Sequence, residues 1–526
     1  MGGHDQMIPA GGMDSSLFFW LLCIATVVAM LGRWLRIPYA LALVITGLLV
    51  GAPHLLPHAR LEPHTLFTVF LPPLLFESAI HIRINLLRRN WSPIVIYALG
   101  GTVLSTFIVG WLASALLGLP LAVALVFGAL ISSTDPISVV AVFKRLGVGR
   151  RLSLIVESES LFNDGAAVVL FSLLVGFAMG GRLTVALAVQ QFLIVVVGGA
   201  AVGVGIGALA SRVTREFDDH LLEIMLTTLV AFGSYLCAEA VHVSGVIAVV
   251  AASLTIGNLG MQTGMSPTTR LAVTSFWEYA AFVVNSLVFL LLGIEVTVVN
   301  LWTHVGLLIG AIGIVLLGRA IAIYSLSPLV NWTRGEVPFA WQHVLFWGGL
   351  RGALSVALAL GLPQAFPHRE TLVVLTFGVV LFSLLGQGLS IGGLLKRLGL
   401  SEKQREISAQ QRLASQTLAT QAGLEEMERL AKRGILPRAI CESVASHYQA
   451  RMKEVESEIE TLHQSSSHLR MQQLSEAQRL GLLAEKNALQ EAEREGLLDE
   501  DQLQPMMQQI DEQLLSLEAS QLVDQH

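Results

Sequence analysis

Glu159, Ser160, Asn163 and Asp164 stand at the head of an apolar stretch that continues through Gly165-Ala166-Ala167-Val168-Val169-Leu170-Phe171. Ionisable groups at membrane depth are costly, about 3 kcal/mol or more each, and mark functional sites. On a helix Ser160 and Asp164 are four residues apart and share a face, and Glu159 and Asn163 share the neighbouring one. One helix thus offers a carboxylate beside a hydroxyl and a second carboxylate beside an amide. That oxygen-rich surface suits a small hard cation or a proton. A buried carboxyl group can hold a proton or release it to bind a cation, but not both.

Two further segments carry chemistry. In Ser132-Ser133-Thr134-Asp135-Pro136, Pro136 has no amide to donate, so the Ser132 carbonyl loses its helical partner. Asp135, preceding proline, is pushed towards extended backbone. A helix break is expected here, and at membrane depth a break must be buried or line a cavity. The freed carbonyls and the Asp135 carboxylate can then serve a cation. In Trp347-Gly348-Gly349-Leu350-Arg351-Gly352-Ala353, three glycines around an arginine predict a second interruption. Arg351, deep in its span, needs a carboxylate partner, and Glu159 is the expected one. That pair serves equally well as a structural clamp on a broken helix or as part of the cation and proton chemistry. Asn163 can act as a ligand neighbour or as a cap for the break.

Composition shows what must position these groups. The 526 residues are 53% hydrophobic and 14% charged, against about 25% charged in soluble domains. Of 33 Lys+Arg only 20 precede residue 400. The net charge of −6 describes mostly the C-terminal region and suggests no nucleic-acid partner. Cys23, Cys237 and Cys441 are far apart, which suggests neither a disulfide framework nor a metal site. About thirteen apolar runs are long enough to span a bilayer: 16–32, 38–52, 65–81, 93–117, 120–143, 153–179, 185–210, 220–240, 243–259, 271–295, 304–326, 340–362 and 371–395. The first is read as a retained span, not a signal peptide. Leu71-Pro72-Pro73 predicts a kink in the third.

The expected fold is an all-α membrane protein of about 13 transmembrane helices. If spans 1–6 and 8–13 are repeats joined by span 7, they are inverted. The interrupted spans 5 and 12 then occupy matching places, which points to a secondary-transporter ion site. With the N-terminus outside, inside loops hold fifteen basic residues, from Arg33 to Arg397, and outside loops hold Arg60, Arg182 and Arg369. The positive-inside rule then predicts N-out, C-in. Two domains are expected, residues 1–400 in the membrane and 401–526 as a polar helical cytoplasmic tail. Segments around Gly434 and Gly496 form a weak internal repeat, each reading as helix, glycine cap and new helix. Solvated helical hairpins explain them better than a ligand-sensing module. A regulatory role with an unknown ligand is the expectation for this tail.

Glu159-Ser160-Leu161-Phe162-Asn163-Asp164-Gly165, Ser133-Thr134-Asp135-Pro136, Leu71-Pro72-Pro73-Leu74-Leu75-Phe76-Glu77 and Gly348-Gly349-Leu350-Arg351-Gly352-Ala353 resemble the signatures of NhaP-type sodium/proton antiporters, relatives of the sodium/hydrogen exchangers. The resemblance covers roughly residues 15–400. It implies a homodimer of thirteen-span chains with a core domain moving against a dimerisation domain. It also implies that Asp164 carries the proton and the cation. Asp135, Ser160 and the Thr134 backbone carbonyl become further Na⁺ ligands, and Glu159 with Arg351 an orienting pair. Asn163-Asp164 is the pattern associated with electroneutral exchange.

The resulting expectation is a secondary antiporter, not an enzyme, in the cell membrane. It exchanges Na⁺, with Li⁺ or K⁺ as alternatives, for H⁺ without a cofactor and contributes to pH homeostasis. An intramembrane aspartyl protease also pairs two membrane aspartates, but leaves Arg351 and the matched breaks unexplained. A membrane sensor signalling through the tail is the other rival. Cation-driven proton flux in vesicles separates all three.

Overall fold

A computed structural model describes residues 15–35, 39–51, 65–181, 184–216, 219–298, 305–333, 336–400 and 402–465, with residues 474, 478, 481–489 and 504–513. The described residues contain helices and no strand. They fall into two units, residues 1–401 and 402–526.

The first unit is a bundle of apolar helices. Nine described helices are long and apolar enough to cross a membrane, by length and composition. Four continuous ones matter most below: α4 (Trp91–Leu117), α7 (Arg150–Ala178), α11 (Pro267–Val298) and α12 (Val305–Trp332). Shorter apolar helices precede them: α1 (Ser15–Leu35), α2 (Tyr39–Gly51) and α3 (Leu66–Ile80). Between α7 and α11 run α8 (Val185–Val213), α9 (His220–Ala240) and α10 (Gly245–Thr263). Polar residues set several starts. Thr184, Asp219 and Ser244 each accept a bond from an amide in the first turn of α8, α9 and α10, satisfying donors that have no intrahelical partner. The amides of Leu222 and Leu221 hold the exposed Asp219 carboxyl below its ordinary range.

Both expected interruptions are present. The first divides α5 (Leu121–Ser132) from α6 (Ile137–Leu146). The second divides α13 (Phe339–Trp347) from α14 (Ala353–Leu360). Residues 133–136 and 348–352 between them are non-helical. The final apolar helix, α15 (Arg369–Arg397), contains a wide π turn at Ser383–Gln387. In α3, Pro72 and Pro73 have no amides to donate to the preceding turn. A π turn at Leu66–Phe70 immediately precedes them, so the disruption there is a widened turn.

Close backbone approach dictates small residues where helices cross. Gly47 of α2 and Gly293 of α11 face each other: a Cβ on either would lie within 2.3 Å of a carbonyl oxygen of the partner helix. Gly128 of α5 stands in the same relation to Thr106 of α4, at 2.2 Å.

In the second unit α16 (Glu402–Lys432) packs against α17 (Arg438–Ser465) as a helical hairpin. Gly434 takes the left-handed conformation between them, with φ +66°, as a C-terminal glycine should. Arg412 pairs with Glu458 at 2.9 Å, and Gly423 gives room to Tyr448. The second copy of the sequence repeat, around Gly496, lies outside the described residues.

Candidate functional site

The two non-helical segments cross each other. The Asp135 amide donates to the Leu350 carbonyl at 2.7 Å. Gly352 passes so close that a Cβ there would sit 2.5 Å from the Asp135 Cβ. Each break leaves carbonyls that must find donors in a medium without water. For the first break the donors are side chains. The Ser132 carbonyl, orphaned by Pro136, accepts from Asn163 Nδ2 at 2.8 Å and from Arg351 Nη1 at 3.0 Å. Arg351 Nη1 also reaches the Ser133 carbonyl at 3.2 Å. The Thr134 carbonyl accepts from the Ser160 hydroxyl. For the second break, Ser383 in the π turn of α15 accepts from the Arg351 amide at 2.9 Å, and Gln387 Nε2 donates to the Trp347 carbonyl at 3.2 Å.

α7 supplies Asp164, and the first break supplies Asp135. Ser133 Oγ donates to Asp164 Oδ1 at 2.7 Å, and the Thr134 amide bonds the same carboxylate. Asp135 Oδ1 accepts from the Ile137 amide at 2.9 Å, capping the first turn of α6. Asp135, Asp164, Ser160, Glu157 and Asn285 share a cavity of about 80 Å³, closed on one side by apolar residues of α3. That volume has room for several water-sized groups. Asn163 is buried behind this surface and fully engaged. It donates to Ser132 and to Thr134 Oγ1, and accepts from Thr102 Oγ1 at 2.6 Å.

Asp164, Asp135, Ser160, Thr134, Asn163 and Arg351 therefore meet at one crossing. The expected Glu159–Arg351 pair does not form. Glu159 Oε1 lies 2.6 Å from Arg319 Nη2 of α12, with both side chains buried. Arg319 Nη2 also donates to the Leu345 carbonyl at 3.0 Å. Arg351 satisfies its buried charge with the Ser132 and Ser133 carbonyls instead. The physical reason is supply: a proline-broken helix exposes aligned carbonyl dipoles, and these suffice for a guanidinium that lies beside them. Arg319 sits inside the apolar run 304–326, and its charge there was the available signal for a second buried arginine. Ser133, adjacent to Thr134, offers no comparable signal, since its reach to Asp164 depends on how α5 lies against α7. Gly349 allows the guanidinium in, because a Cβ there would lie 2.9 Å from Arg319 Nε.

A helical membrane bundle with two broken helices crossing at a pair of acids defines a class, the ion-coupled secondary transporters. Comparison narrows the class: residues 21–397 match the family of sodium/hydrogen exchanger transmembrane domains, and the chain belongs to that family. It is 35% identical over 498 residues to the Na(+)/H(+) antiporter NhaG of Bacillus atrophaeus, covering 92% of this chain and 94% of the relative. It is 41% identical over 411 residues to the Na(+)/H(+) antiporter ApNhaP of Aphanothece halophytica, covering 77% of each. The fold is similar to that of the sodium proton antiporter MjNhaP1 from Methanocaldococcus jannaschii, with a TM-score of 0.60 at 20% identity, over 74% of this chain and 98% of that one. Members of the family are multi-pass membrane transporters, not enzymes, and need no cofactor.

Proposed function

We propose that the protein exchanges Na⁺ for H⁺, with Asp164 as the shared carrier. The observation that carries this reading is the placement of Asp164 and Asp135 on one small cavity at the crossing of the two breaks. Asp164 releases its proton to bind the cation and expels the cation when protonated. Asp135, the Ser160 hydroxyl and the Thr134 carbonyl complete the ligand set. The Ser160–Thr134 hydrogen bond is compatible with that role, because each oxygen keeps a free lone pair. Li⁺ and K⁺ are alternative substrates of the same oxygen set.

Exchange is electroneutral in this reading. Asn163 occupies the place of a second acid, and its amide hydrogens are committed to Ser132 and Thr134. One carboxylate then trades one proton for one monovalent cation, and the flux should not respond to membrane potential. The thirteen crossings, the inverted repeats, the N-out, C-in orientation in the cell membrane and a role in pH homeostasis belong to the same proposal. So does a homodimer, for which α8 presents a largely uncovered apolar surface that includes Leu193, Ile194 and Val197. The tail, 401–526, regulates and does not transport.

The test is Asp164→Asn in reconstituted vesicles. The amide keeps the shape but cannot exchange a proton, so sodium-driven proton flux should disappear while the protein stays folded. Flux near the wild-type level in a well-folded variant would overturn the carrier assignment.

A further inference from the structure

A second cavity, of about 650 Å³, opens between α12, α13 and the last turns of α15. It is separate from the ion site and is far larger than transport of a small cation needs. Its size falls in the range of cavities that hold organic ligands, about 300–1,000 Å³. Phe346, Trp347, Leu389 and Leu394 give it apolar walls, and Arg397, in the last turn of α15, gives it a cationic group. Trp347 Nε1 donates to Ser390 Oγ at 2.8 Å, tying α13 to α15. The Tyr324 hydroxyl bonds His343 Nδ1 on the α12–α13 wall. Among the described residues, no acidic side chain lines the cavity.

We propose that this cavity binds one anionic phospholipid, with its phosphate on Arg397 and an acyl chain against Leu389, Phe346 and Trp347. Three features select that occupant. First, Leu389, on the cavity wall, is 58% exposed on a helix long and apolar enough to cross a membrane, which offers an acyl chain an apolar approach. Second, Ser390 and Arg397 are seven residues apart on one helix, ~10 Å along its axis at 1.5 Å per residue. That separation fits a phosphate at the membrane surface and an acyl chain below it. Third, charge discriminates between headgroups. The C-terminal end of α15 has a negative dipole that repels an anion. Lys396 and Arg397 in its last turn reverse that sign, and basic pockets between spanning helices are lipid-headgroup sites. Placing the bound lipid in the cytoplasmic leaflet rests on the orientation proposed above, but the binding itself does not.

Full-length protein is purified and titrated with phosphatidylglycerol, phosphatidylcholine or inorganic phosphate while its thermal transition is followed. Native mass spectrometry counts the lipid retained. Phosphatidylglycerol should raise the transition temperature more than phosphatidylcholine, and inorganic phosphate should do nothing. Arg397→Gln should weaken the phosphatidylglycerol effect about tenfold, the loss of one charge-assisted contact. Arg397→Lys should retain most of it. Gly393→Leu should block it sterically: Gly393 lines the cavity and a Cβ there meets nothing within 4 Å, so the added side chain fills the cavity without disturbing the core. Equal effects of the two lipids would overturn the proposal. So would a phosphatidylglycerol effect that survives both Arg397→Gln and Gly393→Leu. An effect reproduced by inorganic phosphate would show a soluble-anion site instead. Loss of transport in Asp164→Asn leaves all these outcomes unchanged, so the two readings fail separately.

Discussion

Glu159 and Arg319 should behave as a coupled pair, and Glu159 and Arg351 should not. The perturbation is a pair of double-mutant cycles, Glu159→Gln with Arg319→Gln and Glu159→Gln with Arg351→Gln. At 2.6 Å between Oε1 and Nη2, the Coulomb attraction is about 6 kcal/mol for an effective dielectric of 20. Desolvation of two buried ions offsets most of that, while removal of one partner leaves an uncompensated charge and costs about 3–5 kcal/mol. The low end of this range applies here. The contact is close but poorly aligned: neither Glu159 Oε1 nor Arg319 Nε has a directed hydrogen-bond partner among the described residues. Each single replacement should therefore destabilise by about 3 kcal/mol, with a coupling of about 2 kcal/mol between them. Arg351→Gln should destabilise separately, because the carbonyls of Ser132 and Ser133 lose a charged donor. Its coupling to Glu159 should stay below about 1 kcal/mol. The assay is unfolding free energy in bicelles, measured for all singles and both doubles, with sodium-driven proton flux recorded in parallel. Additive Glu159 and Arg319 effects, or a larger Glu159–Arg351 coupling, would refute this assignment of partners.

Gly352→Ala should destabilise the crossing by about 1–3 kcal/mol, as overpacking does, and impair transport, because its Cβ would lie 2.5 Å from that of Asp135; unchanged thermal stability and flux would show that the segments separate freely. Under the proposed competition of proton and sodium for Asp164, the apparent KM for sodium should rise as the pH on the sodium side falls, with the maximal rate at saturating sodium less affected; a KM independent of pH would count against shared occupancy. Truncation after Leu400 keeps Lys396 and Arg397 and removes the second unit; the shortened chain should still exchange ions, with an altered dependence on pH or sodium, and a folded but wholly inactive product across pH and sodium would place the tail in the transport cycle.

Local chemistry was legible in the sequence because it acts within a few residues. Proline at 136 removes an amide wherever the chain goes, so the break before it needs no knowledge of neighbours. Helical spacing puts Glu159, Ser160, Asn163 and Asp164 on adjacent faces of α7 by geometry alone. Glycines around Arg351 likewise announce a second interruption, and hydropathy marks the spans because lipid tolerates little else. What the sequence could not determine is which distant group each of these residues meets. Ser160 shares a helix face with Asp164, yet its hydroxyl serves the Thr134 carbonyl, and Ser133, from the break between α5 and α6, serves Asp164. Asn163 is held by Thr102 of α4, sixty-one residues away. Glu159 had two buried arginines within its range of choice, and the fold brings Arg319 of α12 to it while the carbonyls freed at Pro136 take Arg351. Several donors can satisfy a buried acid equally well in principle. Only the tertiary packing of helices far apart in sequence decides which donor arrives at hydrogen-bonding distance.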